Sequence, residues 1–423
     1  MKKVVCLSLF TLFFVMVSGA LASSGDVDGK GTIGLEDAIM GLRVCSGISV
    51  TPDTNADVNG DEKIGPEEVI YVLQYVAGLR SGSDTGTIGD RTDYTSVSLT
   101  SSGTYSSSAS TVKDKVLYTS TTSDTPAVKV SSGGSLTLTH SKATKSGATA
   151  NKENSGFYGF NAGVLASSSG QVSSYSGTGT ASSITMTDCT ITTSASGANG
   201  AFAFGEDAVV TLDHVTIATT GSDNSRGVDA TYGGTVNISN STISTQGDSC
   251  AALATDRYDH YAAPKIVASK CEGTTAGSGS PGIYCTGTFT VSDSALTATG
   301  SEAAVIEGLN SITLTNTSIS GVKKWGVMIY QSMSGDSSVG TGTFKMTGGT
   351  LTNNSTGPMF FICNTSAVIQ LNGATLTNSS SDNTLLLAST AAAAANNSTV
   401  SSNVNSSWGL RAVPVTFTAT TRH

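Results

Sequence analysis

The sequence predicts a mainly β chain, a long solenoid of short strands preceded by a small acidic helical module. Three observations predict it. The 423 residues include 48 Gly and only 13% charged residues, and Ser, Thr and β-branched residues dominate, a composition suited to short strands and tight turns. Strand-like octapeptides recur about every 26 residues from Leu136 onward. The acidity is uneven: residues 23–93 hold 13 acidic and 5 basic residues, whereas 94–423 hold 18 and 15. A net charge of -9 gives no basic footprint for nucleic acid.

Residues 1–22 read as an export signal. Lys2 and Lys3 precede an apolar run from Val4 to Val17, and Ala20-Leu21-Ala22 forms a small-residue cleavage site. The run is too short to span a bilayer, and no later stretch approaches 18 apolar residues. The expectation is a secreted, extracellular or cell-surface protein with no membrane span in the mature chain.

Residues 23–80 form the acidic module. Two segments 31 residues apart, Gly25–Asp37 and Ala56–Glu68, repeat one pattern. A calcium loop of the EF-hand type needs oxygen donors at positions 1, 3, 5 and 12 and a backbone carbonyl at 7. The first loop supplies Asp26, Asp28, the Thr32 carbonyl and Asp37. The second supplies Asp57, Asn59, Asp61, the Lys63 carbonyl and Glu68. Ile33 and Ile64 sit at position 8, where an apolar residue pins two such loops together. Lys30 takes position 5 of the first loop, where a cation repels metal, and Glu62 takes position 6 of the second, where Gly eases the turn. The second loop is therefore expected to bind Ca2+ better. Pro66 with Glu67 and Glu68 marks a helix start. Val69, Ile70, Leu73 and Val76, and in the first unit Ala38, Ile39, Leu42 and Ile48, read as apolar helix faces.

This tandem of loops and helices, over about residues 25–80, resembles a type I dockerin domain. The resemblance implies Ca2+ as cofactor and a cohesin-like protein as partner, a tether common among carbohydrate-active enzymes. Leu35-Glu36 and Pro66-Glu67 stand where that family commonly carries hydroxyl-bearing residues.

Residues 81–93 read as a linker. In 94–423 the repeat cores begin at Leu136, Ile184, Val210, Val236, Ile266, Phe289, Ile312, Phe344 and Ile369. Apolar residues at the first and third places read as a strand buried on one face. A second short strand precedes several cores, as at Gly227, Gly282, Gly326 and Met359. A fixed period with strand patterning and no helical pattern indicates a parallel β-helix. Counting the 48-residue gap after Leu136 as two rungs gives twelve or thirteen rungs, stacked at about 4.8 Å. The fifth place holds His140, Asp188, His214, Asn240, Lys270, Asp293, Asn316, Gly348 and Gly373. All but Lys270 are types that tolerate positive φ, so the chain should bend there, with a small residue next inside the bend. The pattern resembles the right-handed parallel β-helix proteins of the pectate-lyase-like and adhesin-like kinds, which implies that fold and leaves activity open.

Catalytic signals are sparse. The chain has no Gly-x-Ser-x-Gly, Asp-Asp, Gly-His-Gly or Arg-x-Lys segment. Stacked rungs could gather Glu206, Asp207, Asp229 and Asp256 near Arg226 and Arg257, as a polysaccharide lyase or glycoside hydrolase would need. The segment Asp256-Arg257-Tyr258-Asp259-His260-Tyr261, in a long rung, is the candidate ligand-contacting loop. Of the mature cysteines, 189 and 271 share a column three rungs apart, about 14 Å and too far to bridge. The leading expectation has no catalytic residues: a secreted calcium-binding, dockerin-like module joined to a β-helix, acting in surface adhesion, envelope structure or carbohydrate contact. The enzyme is its alternative.

Overall fold

In a computed structural model the chain divides into two compact units, Met1–Asp90 and Arg91–His423. The residues described are 25–31, 33–58, 63–76, 94–98, 104–105, 110–168, 179–256, 261–378, 384–389, 398–403, 409–410 and 415–419. The export signal and the whole linker, 81–93, lie outside them. No helix among them is long and apolar enough to cross a membrane.

The first unit packs α1 (Leu35–Cys45) against α2 (Pro66–Val76). Its core is Val27, Ala38, Ala56, Ile64, Val69, Tyr71 and Val72, with Ile33 packed against it. Both position-8 isoleucines thus join the two loops, and the loops also bond directly, Gly25 N–H donating to Ala56 O at 3.0 Å and Asp53 N–H to Val27 O at 2.9 Å. The expected helix faces are corrected. Only Ala38 and Val69 turn inward, whereas Ile39, Leu42, Ile48, Ile70, Leu73 and Val76 are exposed. Close approach is the reason. A Cβ on Gly41 would lie 2.7 Å from Val69 Cγ2, so α1 offers its small residues Ala38 and Gly41 to α2, while Val69, Tyr71 and Val72 of α2 share the core with loop residues, and the larger apolar stripe faces outward.

The second unit is a mainly β, solenoid-like coil of parallel strands in a 21-stranded and a 12-stranded sheet. The register has no slip between cores. Leu136 pairs with Ile184, Ile184 with Val210, Val210 with Val236, and so through Ile266, Phe289, Ile312, Phe344 and Ile369. All nine are fully buried, facing the inner residues of the 12-stranded sheet across one narrow core that includes Ala203, Ala230, Leu253, Ile283, Ile306, Ile329 and Ile362. The small residues there keep the layers close.

The 48-residue gap is corrected to one rung, since Leu136 and Ile184 are direct partners. Its extra length includes α3 (Lys152–Tyr158), a helix the strand patterning did not announce. Asn151 caps it, accepting from Asn154 N–H, and Gly159 ends it at φ 67°. It covers the outer side of the 12-stranded sheet, where Phe157 and Tyr158 pack with Leu165, Phe202, Phe204 and Tyr232.

The fifth-place residues all adopt positive φ, from 45° at His140 to 65° at Gly348, Lys270 included at 53°. The next residue rebuilds the hydrogen bonding that the bend interrupts. Ser141, Ser241 and Ser294 Oγ each donate to the carbonyl two residues earlier, at 2.6–2.7 Å. Each also accepts the N–H of a residue on the preceding rung, Val116, Val215 and Cys271 respectively, at 2.9–3.0 Å. Cys189 and Cys271 sit in the same column, their thiols on Thr187 O and Ser269 O at 3.2 and 3.3 Å. A second corner repeats the device with Ser225, Cys250 and Ser280. The described cysteines are unbridged.

Candidate metal loops and a buried acid and tyrosine cluster

Two clusters of charged groups stand out, one in each unit. In the first unit the carboxylates of Asp26, Asp28 and Asp37 each place an oxygen within 4.8 Å of the others. Asp26 and Asp37 are 1% exposed, and Glu68 is fully buried. Backbone groups hold them. Asp26 accepts from Lys30 N–H at 3.0 Å and Gly31 N–H at 2.7 Å. Asp37 accepts from Asp28 N–H and Gly34 N–H, both at 2.8 Å. Glu68 repeats this in the second loop, on Val58 N–H at 3.2 Å and Gly65 N–H at 2.6 Å. Asp37 and Glu68 therefore cap their helices while presenting carboxylates to the loop. Three acids gathered this closely, two of them buried, are the donor set of a hard cation such as Ca2+, so the residues fit the metal. Lys30 Nζ lies 2.6 Å from Asp28 Oδ2 and holds that carboxyl below its usual range, the competition expected from a cation at position 5. Asp57 and Lys63 are described in the second loop, and Thr32, Asn59 and Asp61 lie outside the described residues.

In the second unit, Arg226 bridges Asp229 and Asp256. Its two terminal nitrogens each sit 2.7 Å from one carboxylate. Asp229 is fully buried and Asp256 6% exposed. Burial pushes Asp229 up to about 6 and Asp256 to about 7, because a single guanidinium cannot neutralise both. The Arg226 guanidinium lies 5.9 Å from the ring centre of Tyr284. Further along, Glu307 accepts from Tyr284 and Tyr330 hydroxyls, both at 2.8 Å, and from Ser332 Oγ. These residues point outward from the 12-stranded sheet on successive rungs.

Of the expected ligand loop, Asp256 is thus tied to Arg226, and Tyr261 packs edge-on against Tyr232 at 4.8 Å. Arg257, Tyr258, Asp259 and His260 lie outside the described residues. Glu206 and Asp207 are exposed on the turn after Ala201–Phe204. Sequence reasoning missed Tyr284, Glu307, Tyr330 and Ser332. The usable signal was spacing, since Tyr284, Glu307 and Tyr330 follow one another at 23 residues, one rung each.

No protein-family model, curated protein or solved structure matches this chain.

Proposed function

We propose that the first unit is a calcium-binding, dockerin-like tether. The second unit, a right-handed parallel β-helix in this reading, presents a non-catalytic surface to a polysaccharide or cell-surface partner. The protein acts after export. One observation carries the reading: two acid loops, each closed by a buried capping carboxylate, lead into helices whose outer sides hold Leu35, Ile39 and Leu42 and Ile70, Leu73 and Val76, each 43–54% exposed. An apolar stripe of that kind suits a protein partner of the cohesin kind. Bound Ca2+ would cross-link the loops to the helix starts, and its binding free energy adds to folding free energy.

The burial of Asp229, Asp256 and Glu307 supports the non-catalytic reading over a polysaccharide lyase or glycoside hydrolase. A general acid must reach its substrate, and these carboxylates are committed to internal partners.

Calcium titration of the full mature chain, followed by calorimetry, tests the tether. Saturable binding is expected, with Asp57→Ala or Glu68→Gln costing more affinity than Asp26→Ala. Equal losses would remove the ranking of the loops, and no uptake by the wild-type chain would remove the calcium reading itself.

A further inference from the structure

One corner of the coil carries His140, Asp188 and His214 on three consecutive rungs. Thr139 pairs with Thr187, and Thr187 with Asp213. The three residues that follow these are therefore stacked at about 4.8 Å per rung. All three share the left-handed backbone region, with φ 45°, 52° and 52°, which sets their side chains in one row on the outside of the bend. Those side chains are 22%, 42% and 46% exposed.

Each imidazole has a carboxylate on Nδ1. His140 Nδ1 lies 2.8 Å from Asp114 Oδ1, and its Nε2 faces Asp188 Oδ2 at 3.9 Å. His214 Nδ1 lies 3.1 Å from Asp213 Oδ2. Asp213 is itself fixed, accepting from Ser239 Oγ and Asn240 Nδ2, both at 2.7 Å. A carboxylate on one ring nitrogen is the arrangement that fixes the tautomer and directs the other nitrogen at a metal. Zinc bonds of about 2.0–2.2 Å place tetrahedral donors roughly 3.3–3.5 Å apart, so small side-chain rotations bring His140 and Asp188 to one ion. His214 stands one rung beyond Asp188 in the same row, about 9.6 Å from His140 by the stacking distance, so it must turn away from Asp213 and swing toward Asp188 to join that ion. Two further carboxylates, Asp114 and Asp213, flank the row. Lys115, on the rung before His140, is the neighbouring cation, its N–H donating to Thr139 O at 3.1 Å.

We propose that His140, Asp188 and His214 bind a divalent cation of the zinc class on the outside of this corner. Two imidazoles and one carboxylate favour such a borderline ion over Ca2+, which takes oxygen ligands. The site is therefore chemically distinct from the acid loops of the first unit.

The test is calorimetric titration of the full mature chain with Zn2+ in excess Ca2+, repeated with Co2+ and followed by its visible absorption. Asn holds the same corner position at Asn240 and Asn316, so His140→Asn, His214→Asn and Asp188→Asn keep the bend, and thermal melts check that each variant folds. One equivalent of Zn2+ is expected for the wild type, with about a 10-fold or greater loss of affinity in each variant and a smaller loss in Asp114→Asn. Tetrahedral cobalt absorption that disappears in the His140→Asn/His214→Asn double variant supports the site. Absence of zinc uptake by the wild type, or uptake unchanged in the double variant, overturns it. So does uptake abolished by His260→Asn alone.

Discussion

At the corner lined by His140, Asp188 and Asn240 the chain turns through a left-handed residue on each rung from His140 to Gly373, and the turn costs a link in the hydrogen-bond ladder. Ser141, Ser241 and Ser294 restore that link by donating to one carbonyl and accepting one N–H. Cys189, Cys250 and Cys271 occupy equivalent places, and burial raises their thiols, to about 12 at Cys189 and about 11 at Cys250. These thiols are consequently poor nucleophiles that serve as small hydrogen-bonding groups. A parallel column of buried hydroxyls closes the adjoining turns: Thr193, Thr219 and Thr245 Oγ1 donate to carbonyls five or six residues ahead at 2.5–2.6 Å. Lys145 takes this column's place one rung earlier, its ammonium on Thr122 O at 2.5 Å and lowered to about 8 by burial. Substituting Asn240 by Val should cost about 1–2 kcal/mol in urea unfolding, because a β-branched residue resists φ near 48°. Asn240→Gly should stay within about 0.5 kcal/mol, its lost interactions offset by relief of the same constraint. Equal costs for the two would show that φ is not what the position selects. The bends were readable in the sequence because positive φ is a property of single residues. The relay was not, since it depends on which N–H the neighbouring rung leaves without a strand partner.

Among elements, the outer side of the 12-stranded sheet departs most from a plain apolar sandwich. Asp229 and Asp256 share one guanidinium, so together they carry more negative charge than Arg226 can offset. Burial raises both acids, while it works to lower Arg226 against the two carboxylates that hold it raised. For an acid raised by folding, the folded chain keeps a proton that the unfolded chain has released. Stability then falls as pH climbs from about 4 toward 7. The urea midpoint should accordingly be lower at pH 8 than at pH 5, and Asp256→Asn should shrink that difference; a difference unchanged in the Asp229→Asn/Asp256→Asn variant would trace it elsewhere. Replacing Arg226 by Met strands two buried carboxylates and should cost about 3–5 kcal/mol at neutral pH. The cluster was only half legible. Arg226, Asp229 and Asp256 are charged residues in an uncharged context and drew notice, whereas Tyr284 and Glu307 join them only because rungs 23–30 residues long stack in register. The helices of the first unit gave the opposite difficulty. Their stripes of Leu and Ile carry the periodicity of a core, yet Ala38 and Gly41 make the contact, because two 11-residue helices joined by acid loops pack best at short range.

For the molecule as a whole, the zero-slip register is the feature with the widest reach. Each core pairs with the next at the same place, from Leu136 to Ile369, whether the intervening stretch is 23 residues or 48. Between these cores length variation is confined to the turns, where α3 and the segment 331–338 sit. Deleting residues 271–293 joins Lys270 to Ser294, bend to hydroxyl, as in the intact chain. That variant should fold with an unchanged circular dichroism shape and a melting temperature within about 5 °C of wild type, whereas removing 271–282 should abolish the cooperative melt. Loss of folding in both would mean that the rungs are not interchangeable. The gene thus has a natural currency of exchange: a block copied or dropped between two bends leaves every surviving neighbour facing the partner it would have had, and the reach of the protein can change by one 4.8 Å step at a time without any surviving residue being redesigned.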